Sequence, residues 1–376
     1  MRHVDALVIG AGPAGSATAL RLARAGADVL LVDRQRFPRD KPCGGGLTGR
    51  ALAHAPCDVS AVVEHDVDRF ELRLRYRKRF ERRNDVPLIR MTQRRRLDAF
   101  LAEQAALAGA DFRDGVTAGG LAVGPDGAEA TIDGHPVRAD VLIGADGANG
   151  VTARAAGIAV DAVRGVALEG NAPYGDVDPD RYRSRAVVEL GTVPGGYGWV
   201  FPKGDHANVG VGGWPAEGPR IRAHLQRLCE AHGLDPDRLT DVRGHRLPMR
   251  RLGSPVAAGR TLLVGDAAGL VDPLSGDGIY EAFVSAELAA EAILTGRLET
   301  YEPRLVAALE PHAGASWAAK RALDRFPAVC WAIARLPRVW DVVAGLLQGE
   351  VAHPNEARGL ARPPLRLIAR LARVGG

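Results

Sequence analysis

At 376 residues the chain is long enough for two domains, each with a core of its own. Four cysteines, Cys43, Cys57, Cys229 and Cys330, stand without CxxC pairing, which excludes a zinc-ribbon or disulfide framework and suits a reducing cytoplasm. The net charge of +4 is modest, the arginines lie in no nucleic-acid-binding module, and no apolar run reaches the ~18 residues of a membrane span, so a nucleic-acid binder and an integral membrane protein are both excluded.

The amino terminus reads as an apolar strand over 4–9 and lacks the basic head and cleavage site of an export signal. Gly10, Gly12 and Gly15, with Pro13 and Ala14 between them, then open a helix to about Ala25 that stops at Gly26. A second strand, ADVLLVDR, ends in Asp33 and Arg34. The glycines permit a tight turn and a close backbone approach, and the free amides at the helix start attract a pyrophosphate. Asp33 follows at close to the ~20 residues expected of a carboxylate that accepts hydrogen bonds from a ribose 2′-hydroxyl and repels a 2′-phosphate. The ligand of such a unit is FAD or NAD.

Arginine is dense between Arg69 and Arg96, and QRRRLDAFLAEQA reads as a helix. A buried strand, ADVLIGADGANG, ends in Asp146 and Gly147. From about 160 to 256 the helical signal thins, and SRAVVEL, YGWVFPK and ANVGVGG alternate as strands of a second sheet. Within this stretch Tyr197, Trp199 and Phe201 recur at period two and point to one face of a strand, and Gly210 and Gly212 follow Phe201 after eight intervening residues, where another body approaches the backbone.

The strand GRTLLVGD then enters AAGLVDPLSGDGI, with a helix from about Gly278 to Leu294. A nicotinamide domain has no need of this second glycine-rich helix start, whereas a flavin does. Asp266 suits ribityl hydroxyls, and amides around Gly276, Gly278 and Ile279 suit the N1/O2 edge of an anionic reduced flavin. FAD is therefore the expected cofactor. Beyond 300 the pattern is helical, with breaks expected at Pro303, Pro311, Pro327, Pro337 and Pro354. In the tail, Leu367, Ile368, Leu371 and Val374 fall near one helix face and Arg366, Arg370 and Arg373 on another. That helix either packs on the protein with a solvated basic face or lies on an anionic membrane surface.

GAGPAG, GADGANG and GDAAGLVDPLSGDGI together resemble the FAD-dependent group that includes aromatic hydroxylases and flavin-dependent halogenases. The resemblance implies that Asp146 and Gly147 support the dinucleotide fold, that an arginine of QRRR, Arg94 with Arg95 as the alternative, touches the phosphate and ribityl region, and that the Val116-Thr117 strand end lies beside the adenine. Two further features resemble the geranylgeranyl reductase family: the turn Lys41-Pro-Cys43-Gly44-Gly45-Gly46, placed near the isoalloxazine, and the P-x-x-Y-x-W-x-F run followed by G-x-G.

The expected architecture is α/β. A Rossmann-like FAD-binding domain of discontinuous segments, 1–60, 92–158 and 258–300, is interrupted by a mixed or antiparallel β-sheet substrate domain, 61–91 and 159–257, and followed by a helical carboxy-terminal region, 301–376. The resemblance implies hydride transfer from reduced FAD to an isoprenoid alkene, with Tyr197, Trp199, Phe201, Gly210 and Gly212 along a prenyl tunnel. Cys43 and the Tyr197 hydroxyl are the candidate proton donors. The external reductant is NADPH, NADH or a ferredoxin, and the expected location is the cytoplasm, peripheral at the inner face of the membrane. The alternatives are a flavin monooxygenase or halogenase, the latter disfavoured because Tyr197-Gly-Trp199-Val-Phe201-Pro202 departs from a W-x-W-x-I-P element, and a flavoprotein that binds an isoprenoid without turnover.

Overall fold

The computed structural model describes residues 1–373, so Val374 of the tail lies outside the described residues. The strand Arg2–Ile9 carries Ala6, Leu7 and Val8 fully buried, as a strand covered on both faces requires. It pairs in parallel with Val29–Val32 on one side and with His135–Gly144 on the other, and His135–Gly144 pairs in parallel with Thr261–Leu263. Register aligns the carboxyl ends: Ile9 lies opposite both Val32 and Gly144, and Gly144 lies opposite Leu263. Gly10, Asp33, Asp146 and Asp266, far apart in sequence, therefore leave the sheet at one edge, where open α/β sheets bind ligands.

The helices Pro13–Arg24 and Ile279–Leu294 pack together, and both are rich in buried alanine, so their axes approach closely. Arg94–Leu107 packs against the first of them through its Leu97, Leu101 and Ala105 face.

A second, seven-stranded sheet runs in the order Thr240–Arg250, Ala162–Pro173, His206–Gly213, Tyr197–Pro202, Arg185–Leu190, Arg69–Leu74 and Lys78–Arg83. Only the contact between Arg69–Leu74 and Arg185–Leu190 is parallel. Alternation assigns its faces. Val200, Val209 and Val211 bury against Leu225 and Leu228 of the helix Ile221–His232, while Tyr197, Trp199 and Phe201 face away from that helix. A small third sheet joins Gly46–Thr48 and His65–Val67 through Ile89–Met91.

The carboxy-terminal region is helical, but two expected breaks are absent. Tyr301–Arg325 runs 25 residues through both Pro303 and Pro311. Pro303 falls in the first turn, where the missing amide costs nothing. The interior Pro311 is tolerated because buried Leu305 and Leu309 before it and Ser316 and Ala322 after it pin both halves by packing. Pro327 and Pro337 instead begin the helices Pro327–Ala334 and Pro337–Gln348.

Candidate active site

One cavity of about 940 Å³ runs from Gly12 and Asp33, past the edge where the glycine motifs meet, along the aromatic strand to Ile368 in the tail. At its nucleotide end the helix Pro13–Arg24 starts at Gly12 with no side-chain cap and no acidic residue in its first turn. Its first amides are therefore available to an anion. A Cβ on Gly12 would lie 3.7 Å from Arg39 Nη2 and 3.8 Å from Arg94 Nη2, so the bare glycine keeps a cradle open beneath two guanidinium groups. Arg94 donates to Asp98 through two nitrogens at 2.7 Å each, and Arg39 donates to the same carboxylate at 2.8 Å. Burial would lower the Arg94 pKa, but the Asp98 charge outweighs it and holds the guanidinium firmly protonated. Asp98 is shared by both arginines and Asp33 lies 3.6 Å from Arg39 Nη2, so two carboxylates balance the two guanidinium groups, and it is the guanidinium donors over Gly12 together with the uncapped helix amino terminus that fit the diphosphate of FAD. Arg95 is exposed, so Arg94 is the arginine of QRRR that lines this cavity. Arg39 was not legible in sequence; its one signal was a basic residue in the loop after Asp33.

Asp33 is buried and lines the cavity, with its two oxygens accepting the Ala11 and Gln35 amides at 2.9 Å each. It thereby locks the glycine turn to the end of its strand. Arg34 lies exposed at the cavity rim. Val116 and Thr117 also line this end, but they precede the strand Ala118–Gly124 instead of ending one. The Asp146 Oδ2 accepts the Val151 amide at 2.7 Å and the Thr152 amide and hydroxyl at 2.9 and 2.8 Å, a role internal to the fold, while Gly147 takes φ 75 and leaves space open beside it.

Further along, Asp266 pairs with Lys41 at 3.1 Å and with His245 at 3.7 Å. Burial raises the Asp266 pKa, but the Lys41 and His245 charges outweigh it and hold the carboxyl well below the usual range. The expectation for the next helix start needs narrowing. Gly276 donates its amide to the Asp272 carbonyl at 3.0 Å and Ile279 to Asp277 Oδ1 at 2.9 Å, so both donors are used within the chain. Of the three, Gly278 alone keeps an amide without an acceptor among the described residues, and a Cβ there would stand 3.2 Å from Asp266 Oδ1.

The turn after Lys41 is held from the second sheet. Cys43 donates its amide to Glu169 Oε1 at 2.7 Å, its Sγ accepts the Gly45 amide at 3.3 Å, and Lys203 Nζ donates to the carbonyls of Gly44 at 2.5 Å and Thr92 at 2.7 Å. Lys203 is 2% exposed. Burial pushes its pKa down and that of Glu169 up. Neither residue was expected at the site. Lys203 continues the period-two series of Tyr197, Trp199 and Phe201, which is the signal that could have found it.

Tyr197, Trp199 and Phe201 all line the cavity, with successive ring centroids 6.0 and 6.4 Å apart. Phe201 packs edge-on to Gly44, whose Cβ would sit 3.0 Å from its ring. Trp199 Nε1 donates to Asn208 Oδ1 at 2.8 Å, which fixes the indole. The Tyr197 hydroxyl donates to the Ser275 carbonyl, and burial, then the charges of Asp272 and Asp277, push its pKa upward. Its proton is thus held by the main chain. The two glycines differ from expectation: Gly210 does not line the cavity, because the Trp199 indole packs over it so closely that a Cβ would come within 2.1 Å of Cζ2, whereas Gly212 does line it. At the far end Leu323, Cys330, Ala334, Leu347 and Ile368 from the helical region close the apolar part.

The FAD binding domain family matches residues 3–293. The chain is 30% identical to menaquinone reductase of Mycolicibacterium smegmatis, over 96% of this chain and 95% of that one. It is 33% identical to digeranylgeranylglycerophospholipid reductase 2 of Methanopyrus kandleri, over 77% of each. Among solved structures it superposes on a geranylgeranyl bacteriochlorophyll reductase-like protein of Thermoplasma acidophilum with a TM-score of 0.79, at 26% identity, covering 98% of this chain and 100% of that one. A flavin-dependent brominase, 20% identical with a TM-score of 0.75 over 98% of each chain, shares the fold alone. With the glycine motifs at one sheet edge and the aromatic strand beside them, these matches place the chain among the FAD-dependent oxidoreductases of the geranylgeranyl reductase family.

Proposed function

We propose that the protein saturates carbon-carbon double bonds of an isoprenoid chain, the tail of a prenyl lipid or quinone. The observation that carries this reading is the continuity of the cavity from the nucleotide cradle at Gly12 along Tyr197, Trp199 and Phe201 to Ile368. Bound and reduced, FAD supplies the hydride. The chain's own residues do the rest: Arg39, Arg94 and the helix start bind the diphosphate, and the turn at Cys43 to Gly45 is fixed by Glu169 and Lys203. The aromatic wall orients the alkene and excludes water, on which a reaction without a polarisable oxygen depends. Burying each prenyl methylene contributes roughly 0.8 kcal/mol. The same reading assigns 1–60, 92–158 and 258–300 to FAD, and 61–91 and 159–257 to the isoprenoid. It also seats the exposed arginines of the helix Arg362–Leu371 on an anionic membrane, from which such a lipid reaches Ile368.

The test is anaerobic. Photoreduced holoenzyme is mixed with geranylgeranyl diphosphate, a polyprenyl menaquinone or a geranylgeranylated glycerophospholipid. Flavin reoxidation with a gain of two hydrogens per double bond is the expected result. A flavin that stays reduced with all three, or a product that gains oxygen when air is admitted, overturns the reading.

A further inference from the structure

Two cavities meet at a charged wall whose Arg50, Glu281 and His312 have no role above. Arg50 and Asp277 line the large cavity, while Asp272, Glu281 and His312 line a second one of about 30 Å³, the size of one water. Arg50 Nη2 stands 3.8 Å from Asp277 Oδ2 and 3.9 Å from Glu281 Oε1. Its Nη1 lies 2.7 Å from His312 Nε2, which is 3.5 Å from Asp272 Oδ2. Glu281 and Asp272 are only 5% and 4% exposed, yet Glu281 Oε2, Asp272 Oδ2 and His312 Nδ1 have no hydrogen-bond partner among the described residues. Three orphaned polar atoms around a water-sized space are the setting a buried water requires.

Charge decides the protonation of this wall. Three carboxylates face one permanent guanidinium, His312, whose pKa is lowered by burial first and also by the nearby His353, and the more distant Lys320 on the Asp272 side, which burial lowers to about 8, so one of the carboxyls holds a proton at rest. Asp272 is the one held ionised: burial raises it, but His312, Arg50 and the Ser275 amide outweigh that. Burial, then the Asp277 charge, pushes Glu281 well above the carboxylate range, and burial also raises Asp277. Glu310 and Arg250, the other charged groups lining the small cavity, pair with each other at 2.8 Å. Tyr280 completes the enclosure, with Arg50 4.5 Å over its ring.

We propose that Glu281 stores one proton and passes it, by way of Asp277 on the other side of Arg50, to the large cavity, and that water in the small cavity, with His312, refills Glu281 from solvent. The proposal rests on the isoprenoid-reduction reading. Saturating one double bond adds a hydride to one carbon and a proton to the other; the proton leaves Glu281, all three carboxylates are then ionised only until bulk water restores it, and no electron moves in that step. Arg50 stays charged throughout and holds the two carboxylates together. Leu252, 49% exposed, lines the small cavity and marks its solvent side.

The experiment uses holoenzyme and the probes geranylgeranyl diphosphate and polyprenyl menaquinone. In the wild type, single-turnover flavin reoxidation should fall as pH rises through the titration of the stored proton. Infrared spectra at neutral pH should show a protonated carboxyl that Glu281→Gln removes. Glu281→Gln should keep FAD, slow reoxidation by about tenfold or more and lose the pH dependence, with Glu281→Asp restoring both in part. An unchanged rate and profile in Glu281→Gln overturns the proposal, as does a wild-type spectrum without a protonated carboxyl, which decides the matter even if the variant misfolds. A wild type that neither probe reoxidises overturns the functional reading instead.

Discussion

Lys203 and Glu189 are both buried ionisable groups, with opposite consequences. Lys203 Nζ satisfies the carbonyls of Gly44 and Thr92, so Lys203→Met would leave two buried acceptors bare and release the turn that carries Cys43. We predict a loss of about 3 kcal/mol and weaker flavin retention, read as a lower thermal midpoint and free FAD after gel filtration. Glu189 is fully buried; its Oε1 accepts the Tyr76 amide at 2.8 Å, and its Oε2 lies 3.5 Å from Arg73 Nε. Burial raises it to about 7 despite the Tyr76 amide and Arg73. Between its ordinary value of 4.5 and about 7 the folded chain holds a proton that the unfolded chain releases, so stability is lost as pH rises through that window. Glu189→Gln should remove this contribution, up to about 3 kcal/mol, so that the variant gains on the wild type as pH climbs from about 5 to 8. Parallel pH dependences of the two thermal midpoints would refute the assignment.

At the scale of elements, the hairpin Tyr197–Pro202 with His206–Gly213 shows what sequence could and could not convey. Period two placed Tyr197, Trp199 and Phe201 on one face correctly, because alternation is a property of any strand. The role of Gly210 depended on register, which pairs Trp199 with Gly210 and Tyr197 with Gly212 across the hairpin. The apolar pattern did not reveal Lys203, because its partners are carbonyls contributed by turns distant in sequence. Gly210→Ala should displace the indole and cost about 2 kcal/mol through overpacking, while leaving FAD bound. Trp199→Ala leaves a void beside the same glycine. It should also retain FAD, but slow flavin reoxidation by a prenyl alkene about tenfold or more through lost positioning. If the Trp199 variant sheds its flavin, the strand is scaffold for the cofactor and not a substrate wall.

Across the whole molecule, the glycine motifs were legible because each is local, a strand end running into a turn. That all of them meet at one edge follows from parallel register between 2–9, 135–144 and 261–263, which no single segment states. The long helix through Pro311 escaped for a related reason, since packing from Leu305 to Ala322 overrides the proline locally. The tail helix Arg362–Leu371 brings both kinds of information together. Its Ile368 lines the cavity, Leu367 is 44% exposed and nearby Leu360 79%, and Arg362, Arg366, Arg370 and Arg373 are all exposed. No helix among the described residues is long and apolar enough to cross a membrane, so contact with a bilayer would be made at its surface. Each arginine near an anionic surface contributes about 1 kcal/mol. The double variant Arg366→Glu and Arg370→Glu should therefore lose at least about tenfold in affinity for phosphatidylglycerol vesicles, a loss that shrinks as salt is raised. Flavin absorbance and thermal midpoint should not move, because neither arginine is buried. Wild-type protein that fails to co-sediment with those vesicles at low salt would return the helix to a packing role, with its basic face simply solvated.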